Sequence, residues 1–331
     1  MQGFIRLFGA SLLPFLLALQ SAAQTFPDAL AQAFPSRPVR MIVPFPPGGP
    51  TDLMARVFGQ KLSEEWGQPV VIENRAGGNS AIGAQQTAKA APDGYTLLVA
   101  MDTTLVMNPI TTTDLPYNAL KDFAPISLTA QNTSLLIVRA ADGPTTAQEL
   151  IARAKANPGK LNYGAGTITT RLAGYLFSKM AGIDTFFIPY KGSAEVVQGL
   201  LTGSIDFSID GVAASLALIQ DGKLRALAKL NNRPLSVLPD LQPLSIAANL
   251  PGLGEISTWA GLVAPAGTPP AIVDKIQRAV AKVAADSEVT SKLSNFGISA
   301  VSTTPAEFDR YFRSELDRWS KVFNESGIKI D

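Results

Sequence analysis

Residues 41–52 read Met41-Ile42-Val43-Pro44-Phe45-Pro46-Pro47-Gly48-Gly49-Pro50-Thr51-Asp52, and within them a strand pattern changes into a helix pattern. An apolar, β-prone run ends at a cluster of Pro and Gly, and helical periodicity begins directly after it. This order predicts a buried strand, a tight loop and a helix. Such a loop collects unpaired backbone N–H groups at the positive end of the helix dipole, so it offers a place for an anion.

The alternation of strand and helix continues along the chain. Strands are predicted over Val39–Phe45, Pro69–Glu73 and Tyr95–Ala100, with helices over Asp52–Trp66 and Ile82–Ala90 between them. This order predicts a parallel, doubly wound α/β sheet. A second α/β unit follows, with predicted strands over residues 161–163, 186–189, 205–209 and 226–230. The last third has a strand over residues 259–265 and two helices, and from the residues alone it is a third unit or a tail.

Composition narrows the possible functions. The 331 residues include 28 basic and 27 acidic side chains, so the charge balance gives no reason to expect nucleic acid as a partner. There is no Cys and no His, which excludes thiolate metal sites, Cys nucleophiles and a Ser–His–Asp triad. Dinucleotide, P-loop and nucleophile-elbow motifs do not occur. We therefore predict a binding protein without catalytic residues, cofactor or metal.

Residues 1–31 are predicted to be a signal peptide with its connector. Residues 1–6 carry one positive charge, residues 7–19 are apolar but short for a membrane span, and small residues near positions 23 and 31 offer two cleavage sites. An uncleaved helix or anchor is the alternative. Because no second apolar run of about 20 residues follows, we expect export to the periplasm.

Three loops between predicted strands and helices are rich in small and hydroxyl residues, over residues 46–51, 76–80 and 164–170. Taken alone, the composition of each loop is also that of an ordinary turn without a ligand. All three loops, however, lie at the carboxyl ends of strands, where open α/β sheets bind ligands. Asp52 in the first helical turn competes with an anion at the first loop, and water between the two would relieve the conflict. Asp210, before Gly211, could cap the next helix or face a cleft.

Segments spread along the chain resemble one known family in the same order. They are Pro35–Asp52, Val71–Arg75, Ala90–Leu98, Leu115–Pro125, Pro189–Gly192, Gly222–Ala228 and Trp259–Pro269. The resemblance is to the Bug family, the extracytoplasmic solute receptors of tripartite tricarboxylate transporters. One such motif alone is weak, whereas the ordered series is specific and covers nearly the whole chain after the signal segment.

The resemblance implies an α/β fold of the type II periplasmic-binding-protein class, with two α/β lobes around a central ligand cleft, joined by two crossing segments. The chain would leave the first lobe near Ser127–Val138 and return near Trp259. Residues 36–135 would form the first part of lobe 1, residues 136–256 lobe 2, and residues 257–331 the completion of lobe 1.

The resemblance also implies a monomeric periplasmic receptor that captures a small organic carboxylate, aliphatic or aromatic, for integral membrane transporter subunits. The candidate ligand-binding residues are Phe45, Pro46, Gly48, Gly49, Asp52, Ser80 and Thr103 in lobe 1, and Thr167, Thr169, Thr170, Tyr190 and Asp210 in lobe 2. The loop of residues 76–83 and the Thr-rich loop before Arg171 depart from the family pattern, so no particular substrate is transferred. The alternatives are a ligand sensor for a membrane kinase, and a lyase or isomerase on the same scaffold.

Overall fold

The computed structural model describes residues 34–251, 253 and 256–327, so the predicted signal peptide and its cleavage sites lie outside the described residues. The strands are β1 (Val39–Val43), β2 (Val70–Asn74), β3 (Thr96–Met101), β4 (Phe123–Arg139), β5 (Leu161–Ala165), β6 (Thr185–Pro189), β7 (Phe207–Gly211), β8 (Leu224–Lys229), β9 (Ser257–Pro265) and β10 (Ile298–Ala300). The α-helices are α1 (Pro50–Trp66), α2 (Ala81–Ala88), α3 (Asn108–Thr111), α4 (Ala147–Ala156), α5 (Ile168–Ala181), α6 (Ser193–Thr202), α7 (Val212–Gln220), α8 (Leu244–Ala247), α9 (Pro270–Ala284), α10 (Ser287–Ser294) and α11 (Pro305–Ser326). A short π-helix, Thr103–Met107, lies between β3 and α3.

The first lobe is built on a sheet with the strand order β2, β1, β3, β9 and β4. Strand β1 pairs in parallel with β2 and β3, and β3 pairs antiparallel with β9. Met41, Ile42 and Val43 are buried, as expected for a parallel strand that is covered by helices on both faces. The predicted strand, loop and helix are therefore present, although β1 ends at Val43 because Pro44 has no N–H to continue the ladder.

The second lobe shares one strand with the first. Strand β5 pairs in parallel with β6 and β7, whereas β7 and β8 pair antiparallel with β4. The part of β4 up to Thr133 pairs with β9, and the part from Ser134 pairs with β7. The chain thus forms two α/β lobes, as the sequence predicts. We propose the division into residues 36–135, 136–256 and 257–331 on the basis of this change of partner.

We propose that the last third of the chain completes the first lobe, as the family resemblance implies. Strand β9 lies between β3 and β4, and helix α11 packs on it, because Phe308 occupies the space where a side chain at Gly261 would be. Helix α11 begins at a capping box, which the sequence Thr304-Pro305-Ala306-Glu307 predicts and in which the Thr304 side chain accepts from the N–H of Glu307. Local sequence patterns alone left a third unit or a tail, because they do not report the pairing of β9 with the distant strands β3 and β4.

The largest apolar cluster extends across both lobes. It joins Met107 of the first lobe to Phe177 and Phe207 of the second, and continues to Trp259 and Trp319. A second cluster fills the other face of the first lobe, between β1, α1 and α9. The two lobes are therefore packed against each other in this structure and do not stand apart. Within residues 34–327 as described, no helix combines the length and the apolar character needed to cross a membrane.

Candidate functional site

The loop after β1 presents backbone N–H groups at the start of helix α1. The N–H groups of Gly49, Thr51 and Asp52 have no acceptor within the described part of the chain. Gly48 has a positive φ of 86°, which favours glycine, and its N–H donates to the Asp52 carboxyl group over 2.9 Å. The loop therefore has the form of an anion-binding helix start, as the sequence predicts.

Asp52 holds this loop in place through hydrogen bonds, and its negative charge is balanced by Arg56. Its Oδ2 accepts from the N–H of Gly48 and from Arg56 Nε, each over 2.9 Å, and its Oδ1 accepts from Asn74 Nδ2 over 2.9 Å. Burial opposes ionisation of Asp52, but these hydrogen bonds outweigh it and hold the pKa of the carboxyl group below its ordinary value. Arg56 balances the negative charge, so the competition with an incoming anion is smaller than the sequence suggests.

Asn74, the last residue of β2, supports this loop and was not among the predicted site residues. Its side-chain amide donates to Asp52 and also to the carbonyl oxygen of Phe45, over 3.1 Å, and so holds the loop to the end of β2. Phe45 is half-buried, whereas Pro46 is exposed. The signal that could have identified Asn74 is its place at the carboxyl end of a predicted strand that neighbours β1 in a parallel sheet.

The loop after β2 is locked by a buried polar network. Residues 77–80 all have positive φ, including the two non-glycine residues Asn79 at 51° and Ser80 at 77°. The Ser80 hydroxyl accepts from Thr104 Oγ1 over 3.0 Å, and Asn108 Nδ2 donates to the carbonyl oxygen of Asn79 over 2.7 Å. Because Ser80 is fully buried within this network, its hydroxyl holds the loop in place. The partners Thr104 and Asn108 were missed because they come from the next strand–helix connection.

The end of β3 makes a direct contact between the lobes. Asp102 is buried, and its Oδ2 accepts from Thr169 Oγ1 of the second lobe over 2.7 Å. No hydrogen bond of ordinary geometry reaches Oδ1 from the described residues. Burial raises the pKa of Asp102 to about 7, which the Thr169 hydroxyl opposes and repulsion from Glu315 reinforces. Thr169 was predicted as a site residue and Thr103 lies beside Asp102, but Asp102 itself was missed.

The other two threonines of the second-lobe loop shape the start of helix α5. The side chain of Thr167 accepts from the N–H of Thr170 over 3.2 Å, and Thr170 Oγ1 accepts from the N–H of Thr167 over 3.3 Å. This reciprocal pair is a capping box. The next loop approaches closely, because a side chain at Gly166 would meet the backbone of Gly192. The loops after β5 and β6 thus form one continuous surface.

Asp210 and Tyr190 complete the predicted set in the second lobe. Asp210 Oδ1 accepts from Ser193 Oγ and from the N–H of Gly211, both over 2.7 Å, while its buried Oδ2 has no partner among the described residues. Burial raises the pKa of Asp210 to about 6. Asp210 does not cap helix α7, whose first residues receive no side-chain hydrogen bond. The Tyr190 ring packs inside the lobe, between Gly164 of β5 and helix α6.

A separate cavity of about 440 Å³ lies between α5 and β6, on the outside of the second lobe. Its lining includes Tyr163, Arg171, Tyr175, Lys179 and Phe187, and none of the predicted site residues. Among the described residues, no cluster of three or more acidic, His or Cys side chains is arranged to hold a metal ion. The predicted loops present N–H groups, hydroxyl groups and two buried carboxyl groups, which are suited to reversible binding of a ligand.

Two α/β lobes with ligand-type loops at the carboxyl ends of their strands define a solute-binding protein. Residues 54–328 match the model of the tripartite tricarboxylate transporter family receptor, so the chain belongs to this family. It is 35% identical over 303 residues to the protein BugT of Bordetella pertussis, with 91% of this chain and 92% of BugT covered. The predicted membership of the Bug family is confirmed.

Solved structures agree with this assignment. An R. palustris protein with adipate is 33% identical, with a TM-score of 0.82, and covers 89% of this chain and 99% of its own. MatC from Rhodopseudomonas palustris, with bound malate, is 30% identical, with a TM-score of 0.76, and covers 87% and 99% of the two chains. The family consists of transporter receptors, so the prediction of a binding protein is confirmed and the lyase or isomerase alternative is wrong.

Proposed function

We propose that this chain is a periplasmic receptor that captures a small organic carboxylate and delivers it to the membrane subunits of a tripartite tricarboxylate transporter. The observation that carries the proposal is the start of helix α1, where the N–H groups of Gly49, Thr51 and Asp52 lack acceptors among the described residues. A helix start carries roughly half a positive charge, and free N–H groups there bind carboxylates.

The neutral state of the Asp52–Arg56 pair makes this position suitable for an anion. The Asp52 carboxylate is held by three hydrogen bonds and balanced by Arg56, so it keeps Gly48 and the loop in place. The ligand carboxylate binds the remaining N–H groups, directly or through water. A micromolar affinity, about −8 kcal/mol, is the scale that a few hydrogen bonds and the exclusion of water supply.

The second lobe covers the rest of the ligand. Asp210 lies at the carboxyl end of β7 and Thr169 in the first turn of helix α5, and Thr169 already contacts the first lobe through Asp102. Reversible closure of the lobes over a ligand needs no bond to be made or broken. Binding of adipate and malate by proteins that resemble this chain supports a carboxylate ligand.

Delivery to a transporter and location in the periplasm rest on different observations. The family description as a transporter receptor supports membrane subunits as partners. The charged and apolar segments of residues 1–19 support export through a signal peptide. The charge balance supports the absence of a nucleic acid partner, and we expect a monomer.

Calorimetry of the mature protein tests the proposal. The titrants are aliphatic and aromatic monocarboxylates and dicarboxylates, with neutral sugars and metal cations as controls. We expect saturable heat from at least one carboxylate and none from the controls. Binding of sugars or cations with no heat from any carboxylate would contradict the proposed function.

A further inference from the structure

Each lobe contributes one buried carboxyl group at its ligand-facing edge. Asp102 follows β3 in the first lobe and is 2% exposed, and Asp210 lies in β7 of the second lobe and is 6% exposed. One oxygen of each, Oδ1 of Asp102 and Oδ2 of Asp210, has no hydrogen-bond partner within the residues that the structure describes. Unsatisfied buried acceptors are uncommon in folded proteins and require an explanation.

Both carboxyl groups lie at the carboxyl ends of strands, Asp102 directly after β3 and Asp210 in the last part of β7, where open α/β sheets bind ligands. Asp102 contacts the opposite lobe through Thr169, the residue beside the capping box of helix α5. Asp210 binds Ser193, the first residue of helix α6, and the loop before that helix touches the loop before α5 at Gly166. The two carboxyl groups are therefore attached to the same set of strand-to-helix connections that the proposed function uses.

The donors that reach these carboxyl groups are all neutral. Asp102 accepts from the Thr169 hydroxyl, and Asp210 accepts from the Ser193 hydroxyl and the N–H of Gly211. A buried carboxylate is stable only with charged or numerous donors, as at Asp52. A ligand with two carboxylates would bring further negative charge to this region, whereas an ammonium group would supply both the missing donors and the opposite charge.

We propose that Asp102 is a specificity-determining residue, with Asp210 as its counterpart in the second lobe, and that together they select an amino-carboxylate over a dicarboxylate. The ligand carboxylate binds the N–H groups of helix α1, and the ligand ammonium group donates to the unpartnered oxygens of Asp102 and Asp210. This inference rests on the proposed function and narrows its ligand class.

Matched pairs of ligands test the proposal, because each pair differs only in one carboxylate or one ammonium group. The pairs are γ-aminobutyrate against succinate, aspartate against succinate, glutamate against glutarate, and ε-aminocaproate against adipate. Calorimetry of the mature protein at neutral pH is expected to give at least one pair in which the amino member binds about ten-fold tighter or more. If the amino member binds no tighter than its partner in any of the pairs, the inference is overturned and the proposed function stays intact.

Substitution of Asp102 tests the assigned residue. Asp102→Asn removes the negative charge and presents a donor, so we expect this variant to lose the preference for the amino member of each pair. We also expect it to bind the member without an ammonium group about ten-fold tighter than the native protein does. A gain of affinity cannot result from misfolding. Asp102→Ser, which is smaller and also neutral, provides a second variant, and Asp210→Asn is expected to change the preference in the same direction.

Asp114→Asn is the matched control. Asp114 is exposed, outside the predicted site, and loses the same charge in the same substitution. The control is expected to keep the native ratio of affinities within each pair. An unchanged ratio in both Asp102 variants would overturn the role of Asp102. Failure of the native protein to bind any member of any pair, or any other carboxylate, would overturn the proposed function together with this inference.

Discussion

Asp52 and Asp102 are similarly hidden from solvent, at 3% and 2% exposed, yet the pKa of Asp52 is lowered and that of Asp102 is raised to about 7. Asp52 has Arg56, Asn74 and the N–H of Gly48 as donors, whereas Asp102 has one hydroxyl group, that of Thr169. At Asp102, which lies deeper in the protein, desolvation is the largest cause of the pKa shift, whereas at Asp52 the hydrogen-bond donors outweigh desolvation. The Asp52 carboxyl group is therefore satisfied without a ligand, whereas one oxygen of Asp102 is not.

The largest expected effect is on the loop that Asp52 holds in place. Gly49→Val places a branched side chain beside the free N–H groups of helix α1, and we expect ligand binding to be lost. The Cβ atom itself has room, since its nearest neighbour is Pro46 O at 3.9 Å, and the φ of Gly49 is an ordinary −82°. The melting temperature should therefore remain close to that of the native protein. Calorimetry measures ligand binding and thermal unfolding measures the melting temperature, with Gly49→Ala as a graded control. Normal binding by Gly49→Val would show that the ligand carboxylate does not bind at the start of helix α1.

The Asp102 carboxyl group should make the free energy of unfolding depend on pH. The pKa of Asp102 rises from an ordinary 3.8 to about 7, so the folded protein favours the protonated form. Its contribution to the free energy of unfolding is full below about pH 3.8 and is lost as the pH rises through about 7, by up to roughly 4 kcal/mol. Urea unfolding at a series of pH values, for the native protein and for Asp102→Asn, isolates this contribution. Parallel pH profiles for the two proteins would contradict it.

Removal of Asp52 should be costly at neutral pH. Asp52→Ala leaves the Gly48 N–H, the Asn74 amide and the Arg56 guanidinium without their acceptor. We expect the free energy of unfolding to fall by about 3 kcal/mol. Because the pKa of Asp52 is lowered, the stabilisation is present above its ordinary pKa and is lost as the pH falls below it. Urea unfolding checks both points, and Asp114→Asn should show neither change.

The smallest expected effect concerns the only side-chain donor found for Asp102 within the described chain. Thr169→Val keeps the shape of the side chain and removes the hydroxyl group that donates to Oδ2. We expect the pKa of Asp102 to rise further and the free energy of unfolding at neutral pH to fall by about 1 kcal/mol. NMR titration of the Asp102 carboxyl group measures the first change, with Thr167→Val as a neighbouring control that affects the helix cap instead. A pKa of Asp102 that does not move would show that the hydrogen bond is not formed in solution.

Local patterns predicted the parts of the fold that depend on local chemistry. The strand and loop of residues 41–52, the helix after them and the capping box at Thr304 follow from apolar runs, from Pro and Gly, and from short-range hydrogen bonds. The place of β9 between β3 and β4 depends on pairing between distant segments, which periodicity does not report. The family resemblance supplied that part of the fold.

The candidate site was predictable only in part, for the same reason. The Pro- and Gly-rich loop identified the helix start, because Pro and Gly determine which backbone angles a loop can adopt. The roles of Asn74, Asn108 and Asp102 depend on partners that are far away in sequence, such as Thr169 for Asp102. The hydroxyl groups of Thr167 and Thr170 are used in a capping box, which a list of hydroxyl residues does not distinguish from ligand binding.

The position of β9 also sets an order of assembly. Residues 134–229 hold every strand of the second-lobe sheet in one continuous segment, so that sheet can close as soon as this part of the chain is made. The sheet of the first lobe lacks its fourth strand until residue 265 has left the ribosome, because β3 and β4 do not pair with each other across the gap. Pairing over so long a separation is slow to form. The lobe that begins the chain is therefore the last to be completed.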